Sequence, residues 1–211
     1  MDEFPSIGPE FFDVRYAAGK MPWDFGGVPK SLKAFLDTHH ESGRVLIPGS
    51  GSGYEIEAFS SSGWDVIGID FSRVAVARAR GLLGPLGSKV YEGDFFTYPL
   101  REGSFDIIYE RTFLCTLLPD FWPRYAQRIA KLVAPAGLLC GFFFLGPEEE
   151  PPPWPITQYQ LGELLGSWFE KIEDNEVEDS LPLYAGKERW QIWRSRQQRV
   201  GIGEKSLARS V

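Results

Sequence analysis

The chain has little of what metal and disulfide chemistry requires. Its 211 residues include two cysteines, Cys115 and Cys140, and two histidines, His39 and His40. Two cysteines exclude a disulfide framework or a zinc cluster, and both read as small core residues. The histidines are sequence neighbours without an accompanying carboxylate or cysteine pattern. They are expected on the surface at a helix end, not on a metal. The net charge is −7 and no basic stripe is present, which argues against a nucleic-acid partner. The longest apolar run, Gly137 to Gly146, falls well short of the about 20 residues that a bilayer span needs. The N-terminus is acidic and polar and does not read as a signal peptide. The expectation is a soluble cytoplasmic protein with no membrane partner, a monomer by default. The length suits one domain with a sizeable core.

What is present centres on Arg44 to Asp70. The run Arg44-Val45-Leu46-Ile47-Pro48 enters Gly49-Ser50-Gly51-Ser52-Gly53, a helix-compatible stretch follows, and Trp64-Asp65-Val66-Ile67-Gly68-Ile69-Asp70 closes the unit. This predicts a strand, a tight turn, a helix and a parallel strand. The glycines permit a sharp bend and close approach of a ligand. An acid ending the second strand can accept hydrogen bonds from a ribose diol. A phosphate-cradling loop would need a Gly-Lys-Ser/Thr ending, whereas Gly53 precedes Tyr54 and Glu55. A dinucleotide fingerprint would be spaced G-x-G-x-x-G, and Glu55 and Glu57 in the first helical turn would repel a pyrophosphate. S-adenosylmethionine carries a sulfonium and no phosphate, so acids nearby suit it, and this third reading fits best.

Along the rest of the chain, residues 1–28 are rich in aromatics and glycine and read as a flap over something. Pro29 to Thr38 predicts a helix with Leu32, Phe35 and Leu36 on one face. Ser72 caps a helix to about Leu83, with Val74, Ala75, Ala79 and Leu82 as its expected buried face. Lys89 to Glu92 is a third strand, and Gly93-Asp94-Phe95-Phe96 the turn beyond it, where an acid beside an aromatic suits an adenine. Phe105 to Tyr109 is a fourth strand, with Glu110-Arg111-Thr112 at its carboxyl end. Asp120 to Val133 is an amphipathic helix, Ala134 to Gly137 a turn, and Leu138 to Leu145 a buried fifth strand. The proline-rich loop from Gly146 to Pro155 is expected to border the site. Thr157 caps a helix to about Gly166, and strands follow at Trp168 to Val177 and Glu188 to Arg194. The fold class expected is α/β: a seven-stranded, mainly parallel, doubly wound sheet of Rossmann-like type with an antiparallel edge strand. One domain is expected over residues 1–196, with residues 1–40 covering the ligand and 197–211 a flexible tail.

These residues resemble the thiopurine S-methyltransferase superfamily, and within it the halide/thiol methyltransferase branch. The likeness lies in Pro22-Trp23-Asp24-Phe25-Gly26, Val45 to Tyr54, Val66 to Ser72, Gly93 to Phe96, Phe105 to Tyr109, Thr112-Phe113-Leu114-Cys115, Pro153 to Thr157 and Gly186-Lys187-Glu188. The resemblance implies a class I methyltransferase using S-adenosyl-L-methionine and releasing S-adenosyl-L-homocysteine. By position it implies Phe12, Tyr16 and Trp23 as an aromatic cover, Gly49, Gly51 and Gly53 beside the methionine part, and Asp70 on the ribose. Phe71 would lie against the adenine, and Asp94 and Phe95 at its edge. Arg111 stands where that branch often has a cofactor-touching tyrosine, and Ser50 where a cysteine is usual. An arginine often found just before the Gly186 position is absent; Leu183 and Tyr184 occupy the region.

The implied reaction is methyl transfer to a small sulfur or halide nucleophile: a thiol, bisulfide, a thiopurine-like thiol or a halide ion. Such acceptors need no protein nucleophile, which agrees with a sequence lacking a Ser-His-Asp, Cys-His or metal constellation, so no catalytic residue is assigned. Trp23, Arg111, Phe113 and Tyr184 are the candidate acceptor pocket, unless Arg111 is only a salt bridge to Glu110 or Asp94. Two alternatives stand beside this reading. One is an O- or N-methyltransferase of a small metabolite, using a carboxylate such as Glu110 as base. The other is a non-catalytic S-adenosylmethionine-binding protein.

Overall fold

The alternating glycines join two parallel neighbours at the centre of the sheet. A computed structural model describes residues 7–40, 42–148 and 151–198. In chain order the elements are α1 (Pro9–Ala17), α2 (Lys30–Thr38), β1 (Arg44–Pro48), α3 (Tyr54–Ser61), β2 (Asp65–Asp70), α4 (Arg73–Leu83) and β3 (Val90–Glu92). The second half adds β4 (Phe105–Arg111), α5 (Trp122–Leu132), β5 (Val133–Phe144), α6 (Gln158–Gly166), β6 (Phe169–Glu176) and β7 (Glu188–Ser195). The seven strands lie in the order β3-β2-β1-β4-β5-β7-β6. Five run parallel from β3 to β5, and β7 is antiparallel to both of its neighbours. The expected hairpin is at the sheet edge, with the reversed strand one place in. Composition explains that order. Trp190, Ile192 and Trp193 of β7 are buried, whereas β6 is mostly charged and exposed, so β6 takes the rim.

Side-chain alternation distributes the core over both faces. Val45, Ile47, Ile107, Tyr109 and Phe142 pack under α2, α3 and α4. Leu46, Ile108, Leu139 and Phe143 pack under α5 and α6. Both cysteines are free and buried. His39 stacks on Phe35 with ring centroids 3.9 Å apart.

Several expectations shift. Within residues 1–28 the structure forms the helix α1, whose aromatic side faces a cavity and so lacks a core-type stripe. The buried face of α4 is Ala75, Val76, Ala79 and Leu83; Val74 is half-buried and Leu82 is 54% exposed. A short Ala/Val-rich helix offers two nearly equal stripes, and packing chooses between them. The turn expected at Ala134 to Gly137 is instead the start of β5, with Ala136 at φ 60° and a register shift against Phe105/Ile107. This is a bulge that takes up the extra residues without breaking the strand. At Gly141 a Cβ would lie 1.8 Å from the Glu110 carbonyl oxygen, so β4 and β5 approach there as only glycine permits. Gln197, where the tail is expected to begin, accepts from the Ala136 N–H and donates Nε2 to Ala130 O; residues 199–211 lie outside those described.

Thr157 and Gln160 form the capping box that starts α6. Thr157→Ala should cost about 1 kcal/mol, read as a fall of roughly 3 °C in thermal melting, with methyl transfer unchanged.

Candidate active site

The carboxyl ends of β1, β2, β3 and β4 open into one cavity of about 540 Å³, within the range of small-molecule sites. Strand order reverses at β1, with β2 on one side and β4 on the other, so the two following connections diverge and leave a crevice.

The glycine turn forms its floor. Gly49, Gly51 and Gly53 have φ of 60°, 52° and 80°, which a Cβ would strain. They face different ways. A Cβ on Gly49 would strike the Phe113 ring at 2.5 Å, and one on Gly51 would reach the Tyr16 hydroxyl at 2.8 Å. At Gly53 it would strike Leu83 at 2.9 Å. Gly49 and Gly51 therefore line the cavity, while Gly53 does not: its bare face admits α4 against α3.

Asp70 ends β2 and organises this turn. Its Oδ2 accepts from the Gly51 N–H at 2.9 Å and its Oδ1 from the Ser72 N–H at 2.8 Å. Burial raises its pKa to about 6, the two N–H groups pull it down, and Asp13 pushes it up. Each oxygen keeps a lone pair for a ligand hydroxyl. Phe71 is beside it on the cavity wall. Beyond β3, Asp94 accepts from the Phe96 N–H and the Thr97 hydroxyl. Phe95 is 3% exposed and joins the core against Phe113 and Tyr125 while showing the cavity one side of its ring.

A cover of α1 and the segment after it closes the cavity from above. Phe12 packs on Trp23 and Phe71 with centroids 5.6 and 5.5 Å away, and the Trp23 Nε1–H donates to the Tyr16 hydroxyl at 3.4 Å. Two aspartates that sequence reasoning did not assign fasten it. Asp13 accepts from the Ser72 hydroxyl and the Val74 N–H at the start of α4, and Asp24 accepts from the Ser52 hydroxyl at 2.6 Å. Anions at a helix N-terminus are favourable, but nothing in local sequence told these acids from solvent-facing ones.

At the β4 end, Arg111 pairs with Glu188 of β7, whose side chain is fully buried and also accepts from Ser180. The guanidinium lies 4.5 Å from the Phe142 ring centroid and 5.7 Å from that of Phe25. Its partner is therefore neither Glu110 nor Asp94. Glu110 points to the opposite face, accepting from the Phe113 and Leu114 N–H groups and the Tyr125 hydroxyl, and it does not reach the cavity. It fixes the segment after β4, where Thr112 sits at φ 58°. Trp23, Cys115, Phe144 and Tyr184 form an apolar cluster beside Arg111. Burial pushes the Cys115 thiol and the Tyr184 hydroxyl well up.

Phe12, Tyr16, Trp23, Asp70, Phe71, Asp94, Phe95, Arg111, Phe113 and Tyr184 thus share one cavity, bordered by Pro152 and Pro153 of the proline-rich loop. Its wall carries the carboxylates Asp24, Glu55, Asp70 and Asp94. That set of anionic acceptors, with bare glycine backbone at the turn, fits a cationic sulfonium nucleoside and would repel a pyrophosphate. Among the described residues, no group of three or more His, Cys, Asp or Glu side chains is placed to hold a metal, and no helix is long and apolar enough to cross a membrane.

Comparison with known proteins points the same way. The thiopurine S-methyltransferase family profile matches residues 7–205. A probable thiol methyltransferase 2 of Arabidopsis thaliana is 33% identical over 175 residues, covering 79% of this chain and 77% of the relative. Thiocyanate methyltransferase 1 of the same plant is 28% identical, covering 82% and 79%. In fold, the chain is similar to the 1,6-didemethyltoxoflavin-N1-methyltransferase of Burkholderia thailandensis, with TM-score 0.71 and 20% identity over 90% of this chain and 87% of that one.

Proposed function

The chain belongs to the thiopurine S-methyltransferase family of S-adenosylmethionine-dependent methyltransferases, which act on small acceptors, and from that premise we propose that its acceptor is a small sulfur or halide nucleophile. Thiols, bisulfide, thiopurine-like thiols and halide ions are the candidates. The observation that carries this reading is the Arg111 end of the cavity: a buried guanidinium, oriented by Glu188, facing aromatic and aliphatic walls. A polarisable anion fits there, since the cation attracts it and the apolar wall costs it little hydration.

S-adenosylmethionine, when bound, supplies the electrophilic methyl group. The chain's part is binding, alignment and exclusion of water. Asp70 would accept the two ribose hydroxyls, Phe71 would lie against the adenine, and Asp94 and Phe95 would frame its edge. Gly49 and Gly51 would let the methionine part rest on backbone. Phe12, Tyr16 and Trp23 would close over the cofactor, and Trp23, Arg111, Phe113 and Tyr184 would hold the acceptor in line with the methyl group. The O- or N-methyl reading loses Glu110 as its candidate base, because that carboxylate accepts from three donors on the face away from the cavity.

The test is turnover of labelled cofactor with thiols, bisulfide, iodide, thiopurines, a catechol and an amine at pH 7. Sulfur or halide acceptors should exceed the catechol and the amine by at least about 100-fold, the contribution of a general base at the acceptor that Glu110, facing away from the cavity, does not supply. Equal or faster oxygen or nitrogen methylation would reject the reading.

A further inference from the structure

The cavity wall carries one carboxylate without an external donor. Asp24, Asp70 and Asp94 each accept from two donors of other residues. Glu55, in the first turn of α3, is 7% exposed and its carboxylate is met only by its own backbone N–H. The nearest cation electrostatically, Arg111, is committed to Glu188. A buried carboxylate left in that state is costly unless a ligand supplies the missing donor. Glu57, two residues on, is exposed and has no such role.

Position indicates which part of a ligand meets it. Asp70, Asp94 and Phe95 follow β2 and β3, so the nucleoside end belongs on that side. Glu55 feels Arg111 of β4 and Asp24 of the cover. It therefore lies across β1 from the nucleoside end. A ligand laid over the crevice with its ribose on Asp70 brings its other end to Glu55. In S-adenosylmethionine that end is an amino acid, whose ammonium carries three N–H donors; the sulfonium has none and cannot satisfy a carboxylate's lone pairs.

We propose that Glu55 is the anchor for the α-ammonium of the cofactor's amino-acid end, an inference that rests on the cofactor reading above. The ion pair forms inside a closed cavity with Asp24 adding to the negative potential, while Arg111 limits it. Burial already holds the Glu55 carboxyl above the usual range, so an incoming ammonium stabilises its ionised form. The anchor fixes the amino-acid end and with it the direction in which the methyl group faces Arg111.

The experiment is calorimetric titration of the full chain and of Glu55→Gln with S-adenosylhomocysteine and with 5′-methylthioadenosine, which lacks the amino-acid end. The variant should bind S-adenosylhomocysteine about 30-fold more weakly, as loss of a charge-assisted hydrogen bond implies, with 5′-methylthioadenosine within about threefold of wild type. Equal weakening of both, or of neither, overturns the proposal. A third ligand needs no variant: S-adenosylhomocysteine with its amino group replaced by hydrogen. Wild type should bind it about 30-fold more weakly than the parent, and undiminished binding overturns the proposal. If wild type binds none of the three, the cofactor reading itself has failed and the proposal falls with it.

Discussion

Arg111→Leu is expected to lower the melting temperature by roughly 10 °C and to raise the acceptor KM far more than the cofactor Kd. The first effect comes from Glu188, whose side chain has no exposure and would lose its cation, keeping only the Ser180 hydroxyl. Breaking a buried pair by removing one partner costs about 3–5 kcal/mol, and in a chain of this length each kcal/mol is worth roughly 2–4 °C. The second effect comes from the cavity, where the guanidinium faces the apolar end proposed for the acceptor. The two separate in Arg111→Met combined with Glu188→Leu, which removes both charges. Thermal stability should return to near wild type, while the acceptor KM stays high. If the double variant regains the wild-type KM, Arg111 is structural only. Equal loss of cofactor and acceptor binding in Arg111→Leu would place it with the cofactor instead.

Asp70→Ala is expected to weaken S-adenosylhomocysteine binding by roughly 100-fold or more, the value of two hydrogen bonds to a charged acceptor. It also frees the Gly51 and Ser72 N–H groups, which the carboxylate holds in place. The pH dependence has a definite sign. The folded pKa of about 6 lies above the ordinary 3.8 because burial disfavours the ionised form. This group's contribution to stability in the ligand-free chain is therefore full below about pH 4 and is lost as pH rises through about 6. A ribose diol donates to the ionised form, so affinity should fall as pH drops below about 6, approaching tenfold per unit, and be flat above it. Asp13 and the Gly51 and Ser72 N–H groups face this carboxyl and set that midpoint. Asp70→Asn should abolish the step for 5′-methylthioadenosine, which carries the ribose but lacks the ammonium that the raised Glu55 carboxyl would meet. Calorimetry between pH 5 and 8 measures it, and a profile unchanged in Asp70→Asn would exclude Asp70 as the ribose acceptor.

Short-range chemistry is legible in the order of the residues. The β-branched run of β1, the alternating glycines, the acid at the end of β2, the Ser72 cap and the Thr157 box each lie within a few residues of their partners. Backbone geometry alone forces such contacts. Long-range partners are not legible there. Arg111 lies opposite Phe142 on β5, and Phe142 lies opposite Trp190 on β7. Glu188 reaches the guanidinium only because the reversed β7 inserts between β5 and β6. The division of labour among the glycines is hidden for the same reason: Gly53 faces Leu83 of a later helix, and no spacing rule records that. Glu55 and Glu57 look alike in sequence as first-turn acids; the helix's rotation against β4 buries one in the cavity wall and leaves the other in water.

Sequence by itself determined the doubly wound α/β class, the glycine turn and the acid that follows it, because strand, turn and cap signals act over a few residues. Tertiary structure alone decided which acids face the cavity and which cation lies among them. Those choices depend on strand order and helix packing, where residues far apart in the chain share one desolvated space and their charges must be matched there.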